Sequence, residues 1–285
     1  RAIIMKAKGR LNAMTVDVED YFQVSAFENV FIQKEWDKAP LRVDHNTNRL
    51  LDLFAEYEVK ATFFTLAWVA QKCPSLIKRI VNEGHELASH GLAHKRVTTM
   101  SPEEFRKDIG ESKQILEDIG GVAINGYRAP SFSINSDNEW AFEIVKEAGF
   151  LYSSSTYPIE HDLYGVPDWP RFKYQRIEGL WELPIPTIRK SGKNVGIGGG
   201  GFFRLYPYWY SKKRIDTFFA SESAPYNFYF HPWEIDQQHP QVKGAQLKSK
   251  FRHFVNLKKM ESKIVRLLED YNWTTMSSAY DIRTV

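Results

Sequence analysis

Short runs of β-forming residues alternate with amphipathic helical stretches along most of the chain. Ala13–Val18 is an apolar run that ends in carboxylates, and Leu50–Tyr57 carries its apolar residues at helical spacing. Val59–Leu66 is again rich in β-formers, and Pro74–Glu83 has the apolar face of a helix, which Gly84 ends. Strands that alternate with helices predict βα units around a mainly parallel sheet.

The alternation continues to the C-terminus and favours a barrel over a short open sheet. About seven or eight βα units in a chain of this length predict an α/β fold of the distorted (β/α) barrel type. Thr156–Arg214 interrupts the rhythm with several prolines and the run Gly198–Gly201, and it predicts long loops on the C-terminal rim. The later strand-like runs are Val122–Tyr127, Phe150–Ser154, Leu180–Leu183, Asn227–Phe230 and Trp273–Met276.

Two helix starts carry capping signals. Ser101-Pro102-Glu103-Glu104 has the spacing of a capping box, in which a hydroxyl and a carboxylate satisfy orphan backbone amides reciprocally. Ser136–Glu139 has the same spacing and predicts a second helix start. A last helix is predicted over Asn256–Tyr271.

Composition and charge narrow the class of protein. The chain has 285 residues, of which 43% are hydrophobic and 26% are charged, as in a globular protein. Its 38 Lys and Arg against 35 Asp and Glu give a formal net charge of +3, so we expect no nucleic-acid partner. Cys73 is the only cysteine, which excludes an internal disulfide and any cysteine-based zinc site.

The chain has no predicted transmembrane segment. Its longest apolar stretch, near Ala61–Ala70, has roughly half of the ~20 residues that a spanning helix needs. Arg1–Arg10 is basic but has no apolar stretch followed by a cleavage site, so either there is no export signal or it has been removed. We expect a cytoplasmic location, or association with membrane-bound machinery. The sequence does not indicate the oligomeric state.

Residues that bind metals or transfer protons follow the predicted strands at their C-terminal ends. In a parallel α/β barrel these ends form one rim, so residues that are distant in sequence meet there. The residues are Asp17, Glu19 and Asp20 at the end of the first run, His90 and His94 after the third, Arg128 at the end of the fourth, and His231 at the end of a late one.

His90 and His94 form an HxxxH pair. Two imidazoles four residues apart lie on one face of a helical turn and can chelate one cation. With one carboxylate from the first run they would leave positions open for water and substrate, as in catalytic zinc sites. Asp17 and Glu19 face the same way on an extended strand, so one can bind the metal while another carboxylate acts as a base. Taken alone, the pair also fits two surface histidines.

Two further residues have both a catalytic and a structural interpretation. His231 ends an aromatic run, and it is either a structural residue or a general acid that protonates a leaving amine. Arg128 either holds a carboxylate in one orientation or forms an ordinary surface ion pair.

Together these motifs resemble the polysaccharide deacetylase family, the NodB-homology carbohydrate esterases. Four motifs occur in the family's order between Met14 and His231, namely TVDVED, SHGLAH, RAPSFS and FHPWE. The resemblance implies a metal-dependent hydrolase with one divalent ion, Zn²⁺ being the expected metal. Its implied substrate is a bacterial polysaccharide or oligosaccharide that loses the N-acetyl groups of its N-acetylhexosamine units. Within the family, the chain is similar to the branch associated with exopolysaccharide synthesis, which implies association with membrane-bound synthesis machinery.

The resemblance also implies roles for single residues. The first motif departs from the usual adjacent pair of Asp, which leaves the carboxylate ligand open between Glu19 and Asp20. Gly91 stands where Ser or Thr is common, and Ser153 where relatives often have Asp. The implied catalytic residues are Asp17 as base, Arg128 as its orienting partner and His231 as acid; the implied metal ligands are His90, His94 and either Glu19 or Asp20; the implied substrate contacts are Pro130, Ser131, Phe132, Trp181 and Glu182.

The resemblance implies one domain over residues 1–285, with residues 232–285 as a C-terminal extension packed on the barrel. The same metal and base would also serve an allantoinase-like hydrolase of a cyclic amide. A third possibility is a carbohydrate-binding protein without catalysis on the same scaffold. The presence of Asp17, His90, His94, Arg128 and His231 argues against this third possibility, because degenerate relatives usually lose the base or a histidine ligand.

Overall fold

The computed structural model describes residues 9–162, 164–242 and 244–283, so the basic N-terminal stretch lies outside it apart from Gly9 and Arg10. Eleven strands and ten α-helices alternate along this part of the chain. The strands are β1 (Leu11–Val18), β2 (Thr62–Thr65), β3 (Glu86–Ser89), β4 (Gly126–Tyr127), β5 (Tyr152–Ser153), β6 (Tyr174–Ile177), β7 (Leu180–Glu182), β8 (Thr187–Lys190), β9 (Lys193–Gly196), β10 (Asn227–Phe230) and β11 (Asn272–Thr274). The helices are α1 (Val43–Glu56), α2 (Ala67–Lys72), α3 (Pro74–Asn82), α4 (Pro102–Gly120), α5 (Trp140–Glu147), α6 (Gly200–Leu205), α7 (Tyr208–Ser221), α8 (Leu247–Phe254), α9 (Leu257–Asp270) and α10 (Met276–Ala279).

Nine strands form the central sheet in the order β10-β1-β2-β3-β4-β5-β7-β6, with β11 also paired to β1. All neighbours are parallel except β6 and β7, and β8 and β9 form a separate antiparallel hairpin. The predicted α/β fold with a mainly parallel sheet is therefore confirmed. Within the described residues no strand pairing joins β6 to β10, so the barrel is not closed by hydrogen bonds.

The central strands are buried on both faces, as expected for a parallel sheet covered by helices. Seven of the eight residues of β1 are buried, and only Leu11 at its start is exposed. The main apolar core includes Val16 and Phe63 from the sheet, with Leu50 and Ile77 from the helices outside it. This packing fixes the strand register and therefore the level at which each strand ends.

The helix-capping predictions have different outcomes. Ser101 and Glu104 form the predicted capping box at the start of α4. The prediction for Ser136 is wrong, because α5 begins at Trp140 without a side-chain cap. Asn138 instead bonds the backbone of the loop, accepting from the amide of Asn135 and donating to the carbonyl of Ser133.

The prediction of long loops over residues 156–214 is wrong in part. This region contains the four strands β6 to β9, helix α6 and the first half of α7. Its prolines lie mainly between these elements, so they interrupt the pattern without preventing regular structure. The Gly198–Gly201 run leads into α6, and Gly199 there has a left-handed φ of 124°.

Residues 232–283 contact the sheet through β11, which pairs with β1. The division of the chain into one domain with a C-terminal extension stays a prediction. Among the described helices, none has both the length and the apolar character that crossing a bilayer requires.

Candidate active site

The strand register brings the predicted site residues to one rim. Val18 pairs with Thr65, Thr65 with Ser89, and Ser89 with Tyr127. The next residues along three of these strands are Glu19, His90 and Arg128. On the other side of β1, Val16 pairs with Phe230, which precedes His231. As expected, Glu19, His90, Arg128 and His231 therefore lie together at the C-terminal ends of neighbouring strands.

A cavity of about 520 Å³ opens at this rim. Its floor holds acidic and imidazole groups, and its walls come from the loop after β1, the loop after β4, the start of α6 and the segment around α8. The lining includes Asp17, Glu19, Ser25, His90, His94, Arg96, Ser131, Phe132, Tyr164, Arg204, Tyr229, His231, Trp233, Ser249, Arg252 and His253.

Glu19, His90 and His94 form a compact group at the cavity floor. One ligand atom from each lies within 4.8 Å of the other two. Their side chains are at most 6% exposed. Burial raises the pKa of Glu19, but the fields of His94, His231 and His90 outweigh burial and lower this pKa to about 2. Glu19 is therefore an ionised carboxylate next to two imidazoles.

Two details of this group fit a divalent cation. The Nδ1 atom of His90 lies 2.8 Å from the carbonyl oxygen of Arg128. Because a carbonyl only accepts, Nδ1 carries the proton and Nε2 keeps its lone pair on the side of Glu19. Glu19 Oε2 is buried and accepts no hydrogen bond among the described residues, although His94 Nε2 lies 2.7 Å away. A carboxylate oxygen and two imidazole nitrogens are ligands that Zn²⁺ prefers.

Asp20 does not join this group, although it follows Glu19 directly. Its Oδ2 accepts from the backbone amides of Arg42 and Val43, at 2.6 and 2.8 Å, at the start of α1. Its Oδ1 accepts from the amide of Tyr21 at 2.8 Å. Burial raises the pKa of Asp20 to about 6 despite these three donors. The side chain thus ties the first motif to α1 and points away from the two histidines.

The histidine pair meets through a loop, so the predicted helical turn is wrong. Residues 90–94 contain no helix, and both Gly91 and His94 have left-handed φ values, of 81° and 54°. A Cβ on Gly91 would lie 3.0 Å from Asp108 Oδ2, which accepts from the amide of Leu92 at 3.1 Å. Glycine at position 91 therefore allows α4 to hold this loop closely. The two imidazole centroids are 5.3 Å apart.

Arg128 is fully buried and contacts Asp17. Its Nη1 donates to Asp17 Oδ1 at 2.6 Å and to Thr15 Oγ1 at 2.9 Å. Nε and Nη2 donate to the carbonyl and hydroxyl of Ser154, and the guanidinium lies 4.1 Å from the centroid of the Phe64 ring. These contacts exclude the surface ion pair and hold the guanidinium in one orientation.

His231 faces the same group from the other side. Its Nε2 lies 3.6 Å from Glu19 Oε1, and its Nδ1 lies 2.7 Å from Glu234 Oε1. Burial lowers the pKa of His231, but the carboxylates of Glu19, Glu234 and Asp17 outweigh burial and raise this pKa to about 9. The imidazole stacks on Trp233, with 5.2 Å between ring centroids. His231 is thus held as a cation with Nε2 toward the cavity.

Glu234 and Arg204 are site residues outside the predicted set, although Glu234 is near His231 in sequence. Glu234 is fully buried, and its Oε2 accepts from Arg204 Nη1 at 2.8 Å. Burial raises the pKa of Glu234, but the charges of Arg204 and His231 lower it by more than burial raises it. The carboxylate is therefore ionised. Glu234 follows His231 at the three-residue spacing of a capping box, which was a usable signal. Arg204 had none, because it comes from α6, in the region predicted as loop.

Two of the predicted substrate contacts, Ser131 and Phe132, line the cavity. Both have left-handed φ values, of 55° and 49°. The Ser131 hydroxyl lies 2.7 Å from that of Ser25 across the rim. Pro130 is buried and does not line the cavity.

Trp181 and Glu182 also lie away from the cavity lining. Glu182 is fully buried, and its Oε1 accepts from the amides of Ser155 and Thr156, at 2.9 and 3.0 Å. Trp181 alternates to the other face of β7 and stacks under Lys173, 4.3 Å from the ring centroid. Glu182 thus holds the loop after β5, whereas Trp181 contacts Lys173.

Comparison with known proteins gives one family match in each half of the chain. Residues 32–152 match the family described as polysaccharide deacetylase, and residues 154–281 match one described as a domain of unknown function (DUF3473). A peptidoglycan-N-acetylglucosamine deacetylase of Bacillus cereus is 36% identical over 98 residues, which are 34% of this chain and 36% of that protein. The chain thus matches between about a third and a half of the length of its first curated relatives.

Solved structures share the fold. A protein from Mycobacterium smegmatis assigned as a polysaccharide deacetylase superposes with a TM-score of 0.60 at 17% identity, over 98% of this chain and 92% of that one. An allantoinase superposes with a TM-score of 0.58 at 18% identity, over 94% and 87%. The match to the polysaccharide deacetylase family therefore covers residues 32–152, less than half of the chain, and the solved structures show that the fold is shared over nearly its whole length.

Proposed function

We propose that the protein is a metal-dependent hydrolase that removes N-acetyl groups from N-acetylhexosamine units of a bacterial polysaccharide. The observation that carries this proposal is the convergence of Glu19, His90 and His94 at the floor of one cavity, between Asp17 and His231. Catalysis of amide hydrolysis needs a base, an acid and a group that stabilises the oxyanion. Names of relatives that act on N-acetylated glycans support this substrate class.

Glu19, His90 and His94 would hold the cation, whose chemistry is to polarise the acetyl carbonyl and acidify the attacking water. Asp17 takes the proton from this water, and Arg128 holds the Asp17 carboxylate in one orientation. A backbone amide near Ser131 contributes to the oxyanion site. His231 Nε2 gives its proton to the leaving amine, while Glu234 fixes the imidazole through Nδ1.

The cavity size favours a saccharide over a small cyclic amide. A volume of about 520 Å³ lies in the ordinary range for ligands larger than a single small ring. Phe132, Tyr164, Tyr229 and Trp233 place aromatic surface along its walls, which suits the apolar faces of sugar rings.

The proposed activity is tested with N-acetylglucosamine oligomers and protein loaded with Zn²⁺. We expect mass spectrometry to detect products that have lost acetyl groups, and no such products with an identically loaded Asp17→Asn variant. Release of no acetate from these oligomers, together with hydrolysis of allantoin, would favour the cyclic-amide alternative. Metal bound without turnover of either substrate would indicate the carbohydrate-binding alternative.

The choice of Glu19 over Asp20 as the third ligand is tested by metal titration. We expect Glu19→Gln to lose at least about tenfold in Zn²⁺ affinity by calorimetry, since it removes a charged ligand. The matched variant Asp20→Asn should keep the affinity and lower the melting temperature, because it weakens the contacts to the start of α1. The opposite pattern would make Asp20 the ligand.

A further inference from the structure

Two segments of the chain carry a local excess of positive charge. Residues 204–214 and 237–260 together hold ten of the 38 Lys and Arg and none of the 35 Asp and Glu. The remaining chain is therefore net negative, although the whole has a formal net charge of +3. The near-neutral composition conceals this separation of charge.

The two segments pack against each other. Arg204 Nη2 donates to the carbonyl oxygen of Arg252 at 2.6 Å, and Asn256 Nδ2 donates to that of Arg204 at 3.0 Å. Lys263, just beyond the second segment, donates to the carbonyl oxygens of Arg204 and Tyr206 at 2.7 and 2.8 Å. The described residues of 204–214 and 237–260 thus adjoin in one region of the molecule, which we call the basic face.

Some cations of the basic face are already paired. Arg204 is buried against Glu234, Lys212 lies 3.4 Å from Asp216, and Arg252 lies 3.2 Å from Asp162. The cations that have no carboxylate partner among the described residues are Lys213, Arg214, Lys250, Lys258 and Lys259. Lys213, Lys258 and Lys259 are exposed. This charge is therefore available to a ligand.

Large apolar side chains are exposed on the same face. Trp209 and Phe251, 65% and 63% exposed, are the two most exposed large hydrophobic residues in the described part of the chain, and Leu205 is 42% exposed. Tyr210 lies 5.7 Å from Trp209 between ring centroids, and Arg214 lies 4.9 Å from the Tyr210 ring. Exposed Trp, Tyr and aliphatic groups beside Lys and Arg are typical of surfaces that enter the headgroup region of a bilayer.

We propose that the basic face docks the protein on a lipid surface containing anionic phospholipids. The unpaired lysines attract the negative headgroups, and Trp209, Phe251 and Leu205 enter the boundary between headgroups and acyl chains. A soluble polyanion would use the cations but would leave Leu205 and Phe251 in water, which favours the lipid surface. Because Ser249 and Arg252 also line the cavity, docking places the cavity beside the bilayer.

The test is co-sedimentation of the full chain with vesicles. We expect binding to vesicles of phosphatidylcholine with about one third phosphatidylglycerol to exceed binding to phosphatidylcholine alone on the order of tenfold. High salt should release the protein, because the headgroup attraction is screened. Equal binding to both vesicles, or binding to neither, would overturn the proposal.

Matched variants separate this surface from general electrostatics. Lys213→Glu/Lys258→Glu/Lys259→Glu should reduce binding to the anionic vesicles at least about tenfold. The control Lys78→Glu/Lys107→Glu/Lys146→Glu has the same net charge, alters exposed lysines on α3, α4 and α5, and should retain most of the binding. An equal loss in both triple variants would show that net charge alone drives binding and would contradict the proposal.

The apolar contribution is tested by Trp209→Ser, which should weaken vesicle binding several-fold. The control is Ile32→Ser, because Ile32 is also exposed, at 44%, but lies outside the basic face. This control should bind vesicles like the unmodified chain. If Trp209→Ser binds vesicles like the unmodified chain and heparin competes fully, the face recognises soluble polyanions and the proposal is wrong. The measurement needs no catalytic turnover, so its outcome is independent of the proposed deacetylation.

Discussion

Two buried ion pairs flank the group of Glu19, His90 and His94, and they are built differently. Asp17 and Arg128 follow from the sheet, since Asp17 lies in β1 and Arg128 follows β4. His231 follows β10, but its partner Glu234 comes from the turn after that strand, and Arg204, which pairs with Glu234, comes from α6. One pair is thus set by strand register, whereas the other depends on a segment outside the sheet.

The comparison extends to the two family matches. Arg128 lies within residues 32–152, which match polysaccharide deacetylases, while Arg204, His231 and Glu234 lie within residues 154–281, which match the domain of unknown function. The C-terminal half therefore supplies the proposed acid and its charged support as well as part of the cavity wall. We infer that residues 154–281 supply side chains that the site needs.

Removing the proposed base, Asp17, is expected to have the largest effect. Asp17→Asn should lower kcat by about 10²–10⁴-fold while the protein keeps its metal, because Asp17 acts on the water and not on the cation. Kinetics on N-acetylglucosamine oligomers and elemental analysis of the same preparation give the two readouts. Loss of the metal from Asp17→Asn would instead make Asp17 a ligand.

The acid side should depend on the leaving group. His231→Ala should lower kcat for N-acetylglucosamine oligomers by about 10²-fold or more, since the amine leaves only after protonation. Aryl acetates, whose leaving groups need no proton, should lose least. Equal losses on both kinds of substrate would show that His231 is structural.

Glu234 should have a smaller, positioning effect. Glu234→Gln should lower kcat for the oligomers by about 10- to 100-fold with little change in KM, because the imidazole loses its charged partner at Nδ1. Glu234→Asp should recover part of this loss, and aryl acetates should be little affected in either variant. An unchanged kcat in Glu234→Gln would remove Glu234 from the acid side.

The last expected effect is on stability rather than on turnover, and it concerns the pH dependence of the metal-free protein. The pKa of His231 is raised from 6.5 to about 9 in the folded chain, so its charged form stabilises the fold. This contribution, of up to about 3 kcal/mol, is complete below pH 6.5 and is lost as pH rises through 9. Urea unfolding should show this fall as the difference between the unmodified chain and His231→Gln. Parallel curves for the two proteins would contradict it.

The polar residues of the site were predictable where the signal is local. Asp17 lies at the end of a run of β-forming residues, His90, Arg128 and His231 each directly follow such a run, and parallel strands end on one side of a sheet. The alternation of strands and helices predicted the fold for the same reason, since burial on both faces requires continuous apolar runs in the strands.

The tertiary structure decided the contacts of residues in the turns that follow the strands, because the path of the chain there sets where each side chain lies. Glu19 and Asp20 are adjacent acidic residues, but the turn after Val18 sends one to the histidines and the other to the amides at the start of α1. His90 and His94 meet through left-handed residues, not through the helical turn that their spacing suggested. Neither outcome is encoded in residue type alone.

Long-range packing settled the rest. The sequence by itself determined the α/β fold and the residues that reach the rim, because periodicity and strand ends are local properties. Only the folded chain joined Arg204 to Glu234 across 30 positions and turned Trp181 and Glu182 away from the cavity. A buried guanidinium needs a carboxylate partner, and the fold decides which carboxylate is close enough. The spacing of residues along the sequence does not predict that pairing.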